Sequence, residues 1–158
     1  MKRYSSAASL GLAVFVLGLT GPLAAAQQVP FLGRLDGVVT MTGVPPIVSA
    51  LVNATGNATQ LGQFTLAIPH TVDLRTMTAT GSYQFTAANG DRLIATFKGQ
   101  GKTTPTPGVI AIVETATVTG GTGRFAGATG GFICQRLFNR VTGKTTGSFQ
   151  GTISVPGN

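Results

Sequence analysis

The sequence predicts an all-β protein, an eight-stranded antiparallel up-and-down barrel, and three observations predict it. Beyond the N-terminal leader the chain reads as period-two alternation of apolar and polar residues, with no helical periodicity of useful length. Glycine, proline and asparagine break that alternation at regular intervals. Residues 119–132, Thr-Gly-Gly-Thr-Gly-Arg-Phe-Ala-Gly-Ala-Thr-Gly-Gly-Phe, form the densest glycine run in the chain. About eight strands of roughly ten residues joined by tight turns suit a closed barrel, because closure removes exposed edges. A two-sheet sandwich fits the same strand count.

Residues 1–26 read as a secretory signal peptide, cleaved after Ala26. Lys2 and Arg3 precede an apolar stretch from Ala7 to Leu19, and Gly21-Pro22 and Ala24-Ala25-Ala26 supply the breaker and the small-residue site. The stretch is shorter than the ~20 apolar residues a membrane-spanning helix needs, and no cysteine stands at the cleavage site to carry a lipid. The expected mature protein, residues 27–158, is therefore one domain, secreted or periplasmic, with no membrane anchor after cleavage.

The first strand spans Leu32 to Thr42, with Leu35, Val39 and Met41 on one face, and Gly43-Val44-Pro45-Pro46 ends it. Ile47 to Thr55 forms the second, Gly56-Asn57 a polar turn, and Leu61 to Thr71 the third, with Phe64, Leu66 and Ile68 inward. Asn53 and Asn57 each begin an N-glycosylation acceptor triplet, which acts only in a eukaryotic secretory route. Thr76 to Ala88 alternates most regularly: Met77, Ala79, Gly81, Tyr83, Phe85 and Ala87 face one way, threonines, Ser82 and Gln84 the other. Asn89-Gly90 predicts a type I′ hairpin turn into a fifth strand, Arg92 to Gly101. After the loop Thr104 to Gly108, a sixth strand runs from Val109 to Thr119. The glycine run, a seventh strand from Gly131 to Phe138, a turn at Thr142-Gly143 and a last strand from Thr145 to Val155 complete the chain.

Charge is sparse. Without Lys2 and Arg3 the 11 basic residues fall to nine against four acidic ones, a net +5. The basic residues are scattered and do not interleave with aromatics, so nucleic acid is not an expected partner, and only a weak pull toward anionic surfaces follows. Cys134 is the only cysteine, which excludes an internal disulfide and reads as a small buried hydrophobe.

The glycine run superficially matches a dinucleotide fingerprint, but no Asp or Glu follows Glu114 to hold a ribose, and no helix follows the run. Gly101-Lys102-Thr103 and Gly143-Lys144-Thr145 lack the first glycine of a phosphate loop, since Thr96 and Phe138 stand there. No cofactor and no metal site is expected, because the lone His70 has no partners at ligand spacing. The remaining reading is a bulged turn between two strands.

Gly120 to Gly130, Gly-Gly-Thr-Gly-x-Phe-x-Gly-Ala-x-Gly, resembles the signature of the allene oxide cyclase and dirigent superfamily of calycin-like barrels. With the Ala87 to Asp91 turn, the chain looks like a bacterial exported member of that class. The resemblance implies an antiparallel barrel, a trimer, and an apolar lumen that steers cyclisation or coupling of a hydrophobic intermediate. Ala126 and Thr129 stand where the cyclases have Glu and Tyr and, at the second position, dirigent proteins have Arg. The cyclases place a catalytic Glu near the start of the barrel, where this chain offers only Asp36. No catalytic residue is carried over.

Chemistry then rests on Glu114, which shares a face with Ile110, Ile112, Ala116 and Val118. A carboxylate there needs a partner, and Arg136 and Tyr83 are the candidates to bind a ligand with it. A one-residue slip at a bulge would instead turn Glu114 to solvent. The expected function is binding of a small hydrophobic molecule in the lumen, with cyclase- or isomerase-like activity as its extension. The alternative is a structural, oligomerising barrel with a packed interior.

Overall fold

The computed structural model describes residues 27–156; the predicted leader, residues 1–26, lies outside them. Eight strands follow in order: β1 (Gln28–Thr42), β2 (Ile47–Ala58), β3 (Gly62–Asp73), β4 (Thr78–Ala87), β5 (Arg92–Thr103), β6 (Val109–Gly121), β7 (Gly130–Asn139) and β8 (Lys144–Ser154). Each pairs antiparallel with its sequence neighbour, and β1 pairs with β8 from Gln28↔Ser154 to Val38↔Lys144. That last ladder closes the barrel and removes the sandwich alternative.

Several predicted boundaries shift. Gly56 and Asn57 pair with Phe64 and Gln63 inside the β2–β3 ladder, so the turn falls at Thr59 to Leu61, where Gln60 takes φ +66° and Gly62 φ +65°. The predicted type I′ turn is not formed, since Gly90 alone of its pair takes positive φ, +89°. Its amide bonds the Ala87 carbonyl at 2.9 Å and the Asp91 carbonyl accepts from the Ala87 amide at 2.9 Å. This is the three-residue loop in which a left-handed glycine follows an ordinary turn. Thr76 and Met77 belong to the β3–β4 turn rather than to β4. The glycine run is more structured than a bulge, with a single 3-10 turn at Gly123–Phe125 that buries Phe125 completely.

Alternation decides the core. Phe31, Phe64, Phe85, Phe132 and Phe149, from five strands, converge at one end of the lumen with ring centroids 4.9–6.1 Å apart. Tyr83 stacks on Phe85 at 5.7 Å and meets Phe97 edge-on at 5.1 Å. Phe125, Leu61 and Ala128 from the loops cover this end. Such ring pairs add roughly 0.5–1.5 kcal/mol each beyond the area they bury, so this half of the barrel is a solid core.

The other end differs in residue size. Inward positions there are mixed: Val39, His70, Val72, Ala79, Gly81, Gly99, Gly101 and Ile112 are half-buried, while Val48, Ala50, Ile110 and Phe138 are buried. The small residues among the half-buried set leave part of this mouth accessible.

Candidate functional site

Glu114 lies between these two halves. Its neighbours Ala116 and Val118 keep the expected alternation, and the one register shift in the β5–β6 ladder falls beyond them, at Ile94/Ala95. The slip that would have turned Glu114 outward is therefore absent from its position. Glu114 is completely buried and Arg136 nearly so.

The three sequence-predicted residues meet. Arg136 Nη2 donates to Glu114 Oε1 at 2.5 Å and Nε to Oε2 at 2.9 Å, a bidentate fork. The Tyr83 hydroxyl donates a short hydrogen bond to Oε2. Arg136 Nη1 donates to Thr145 Oγ1 at 3.2 Å, and that hydroxyl donates to the Leu137 carbonyl at 3.0 Å. The cluster thus ties β4, β6, β7 and β8 together across the lumen.

Two glycines make the room. Gly99 stands opposite Glu114 in the ladder, and a Cβ there would come within 2.9 Å of Glu114 Cγ. Gly147 stands opposite Arg136, and a Cβ there would meet Arg136 Cγ at 2.7 Å.

Electrostatics follow from burial. Desolvation, then the Glu114 charge, holds the Tyr83 hydroxyl well above its ordinary range, so it stays protonated and donates. Burial alone would lower Arg136, but its hydrogen bonds and charge contact with Glu114 overcome this and raise it. Cys134, the ladder partner of Glu114, is pushed up to about 12 by burial and then by the carboxylate, which makes it an inert thiol. Both carboxylate oxygens of Glu114 are occupied, so the cluster is an anchored, net-neutral floor rather than a free base.

Two members were missed from sequence. His70, which offers no metal-ligand spacing, has the same parity as Phe64, Leu66 and Ile68 and stands inward, 5.9 Å from the Phe97 ring. Its Nδ1 lies 2.8 Å from the Ile68 carbonyl, which can only accept, so Nδ1 carries the proton and Nε2 is left as an acceptor. Thr145 has the parity of Phe149 and Ile153 and was legible the same way.

Burial lowers the His70 pKa, outweighing the carbonyl contact that raises it. A histidine depressed in the folded state binds fewer protons than in the unfolded chain, so stability falls as pH drops below about 6.5, the unfolded value. Thermal melts between pH 7.5 and pH 5 are expected to show a declining Tm, with a flatter profile for His70→Gln.

Other features do not compete. A broad open hollow of about 1600 Å³ lies on the outer wall, bordered by Arg34, Asp36, Thr55, Asn57 and Gln135, whose side chains alternate away from the lumen. Among the described residues no three His, Cys, Asp or Glu side chains converge as metal ligands.

A solved structure of a pterocarpan synthase dirigent protein, GePTS1, superposes with a TM-score of 0.58 over 89% of this chain and 98% of that one, at 10% identity. At that identity the likeness is one of fold, and the chain has a dirigent-like barrel. No family model matches the chain, and no curated protein matches it in sequence.

Proposed function

We propose that this chain is an exported binding barrel that holds a small, largely apolar molecule in its open mouth, over the Glu114–Arg136–Tyr83 floor. The observation that carries this reading is the asymmetry of the lumen. Rings fill one half, while in the other Val39, Val72, Ala79, Gly81, Gly99 and Gly101 are small and half-buried beside the buried Val48, Ala50, Ile110 and Phe138. Ligand sites combine an apolar wall with a few fixed polar groups, and here Ile112, Val39 and Val72 supply the wall, with His70 Nε2 as a hydrogen-bond acceptor.

Binding is preferred to catalysis because Glu114 has both oxygens committed. A cyclase- or isomerase-like activity would then come from confinement, which lowers the entropy of reaching a reactive conformer. Export rests on the leader. Trimer formation rests on the resemblance, and the uncharged outer wall of β6 and β7, where Val113, Ile133 and Leu137 are exposed, is a face suited to it. The ring-filled half of the lumen also favours a second reading, a structural barrel without a ligand.

Solvent extraction of the natively purified mature chain, followed by mass spectrometry, separates the two. One small apolar molecule per chain is expected from the wild type and none from Ala79→Phe, whose ring fills the mouth, with the variant still melting cooperatively. A molecule retained by Ala79→Phe, or none in the wild type, contradicts the mouth as the site.

A further inference from the structure

The two ends of the barrel also differ in what their loops present to solvent. At the ring-filled end the loops fold their apolar residues inward: Leu61, Phe125 and Ala128 are buried. Their tips are Thr59, Gln60, Asn89, Gly90 and Asp91. At the open end the order reverses. Val44 between β1 and β2 is 82% exposed and Val141 between β7 and β8 is 83% exposed. Leu74, between β3 and β4, and the flanking Met41 and Ile47 are also exposed.

These tips belong to one built rim. The Leu74 amide donates to the Pro46 carbonyl at 2.9 Å, tying the β1–β2 loop to the β3–β4 loop. The Gly101 amide donates to the Met77 carbonyl, and the Arg140 amide to the Gly108 carbonyl, each at 2.8 Å. The β3–β4 turn is thereby held to β5, and the β5–β6 loop to the β7–β8 loop. An apolar rim fixed by backbone hydrogen bonds cannot hide its side chains by local collapse.

Basic residues ring the same end. Lys102, Arg140 and Lys144 are exposed with no acidic partner among the described residues, and Arg75 pairs with Asp73 at 3.2 Å. Apolar tips surrounded by cations match the chemistry of an anionic lipid interface, where side chains enter the headgroup layer and Lys and Arg meet phosphates.

We propose that the open end of the barrel docks on an anionic lipid surface, with Val44, Leu74 and Val141 entering the headgroup layer and Lys102, Arg140 and Lys144 holding it there. The contact is peripheral and reversible, and it points the barrel mouth at the bilayer. Docking stands whether or not the mouth holds a ligand.

Co-sedimentation of the mature chain with phosphatidylcholine vesicles and with mixed phosphatidylcholine and phosphatidylglycerol vesicles tests this. Binding is expected only to the anionic vesicles and is expected to weaken with salt. The triple variant K102Q/R140Q/K144Q should lose about fivefold per residue. V44S/V141S should lose about tenfold, as apolar area no longer leaves water. The control R34Q/R92Q/K98Q removes the same charge from the outer wall and should stay within about twofold, because charges away from the bilayer are screened. All these substitutions are at exposed positions, and the folded state is checked by melting. Absence of binding to anionic vesicles at low salt overturns the proposal, as does a control that loses as much as the rim triple. Equal binding to soluble heparin with no dependence on Val44 and Val141 overturns it too, showing a general polyanion site instead of a lipid one.

Discussion

Arg136→Met is expected to lower the unfolding free energy by about 3–5 kcal/mol, the loss that follows when one partner of a buried ion pair is removed. The variant strips Glu114 of two of its three hydrogen bonds and leaves a carboxylate where no water reaches it. Urea denaturation at pH 7 reads the loss. The double variant Glu114→Leu/Arg136→Met removes both charges together and should recover most of the loss, since apolar replacement of a buried pair is often close to neutral. A loss under about 1 kcal/mol for Arg136→Met, the range of solvent-exposed pairs, would show that the pair is hydrated and the barrel looser than its geometry.

Phe85→Ala has the second large expected effect. Its ring touches those of Phe31, Phe64, Tyr83, Phe132 and Phe149, so it stands at the centre of the aromatic half. Truncating a buried Phe costs about 3–5 kcal/mol, as lost transfer energy and as the cavity left behind. Neighbouring rings are held by rigid strands and cannot close the hole. The same substitution should leave vesicle docking unchanged, because the rim lies at the opposite end. Denaturant midpoints and co-sedimentation on one preparation check the pair of expectations.

The sequence made the faces legible, and the endings of strands much less so. Alternation alone puts Tyr83 and Phe85 inside and Glu114 on an apolar face, with a one-residue slip as its alternative, because in a barrel each strand has one buried face and a slip would reverse every residue on it. Arg136 enters only as the cation within reach of that carboxylate. The Glu114–Arg136–Tyr83 convergence followed from that alternation and from the cost of an unpaired buried carboxylate. Turn positions were read less well. Gly56-Asn57 has turn composition yet lies inside a ladder, where the glycine fits because a Cβ would sit 2.0 Å from the Arg34 carbonyl oxygen. Local residue preference could not reveal a constraint imposed by β1 packing from across the sheet. His70 and Thr145 were available to the same alternation that found Glu114. They went unread because a lone histidine and a threonine suggested no chemistry by themselves. The division of the lumen into a filled and an open half was not legible, since it depends on which inward residues share a level after the strands tilt.

The most direct test of the binding reading is where an apolar probe contacts the barrel. In amide chemical-shift mapping with 8-anilinonaphthalene-1-sulfonate, saturable shifts are expected at Val39, His70, Val72, Ala79, Gly99 and Ile112 and at the floor residues Glu114 and Arg136. Shifts confined to the outer wall, at Thr55, Asn57 and Gln135, with the mouth unmoved, would contradict it.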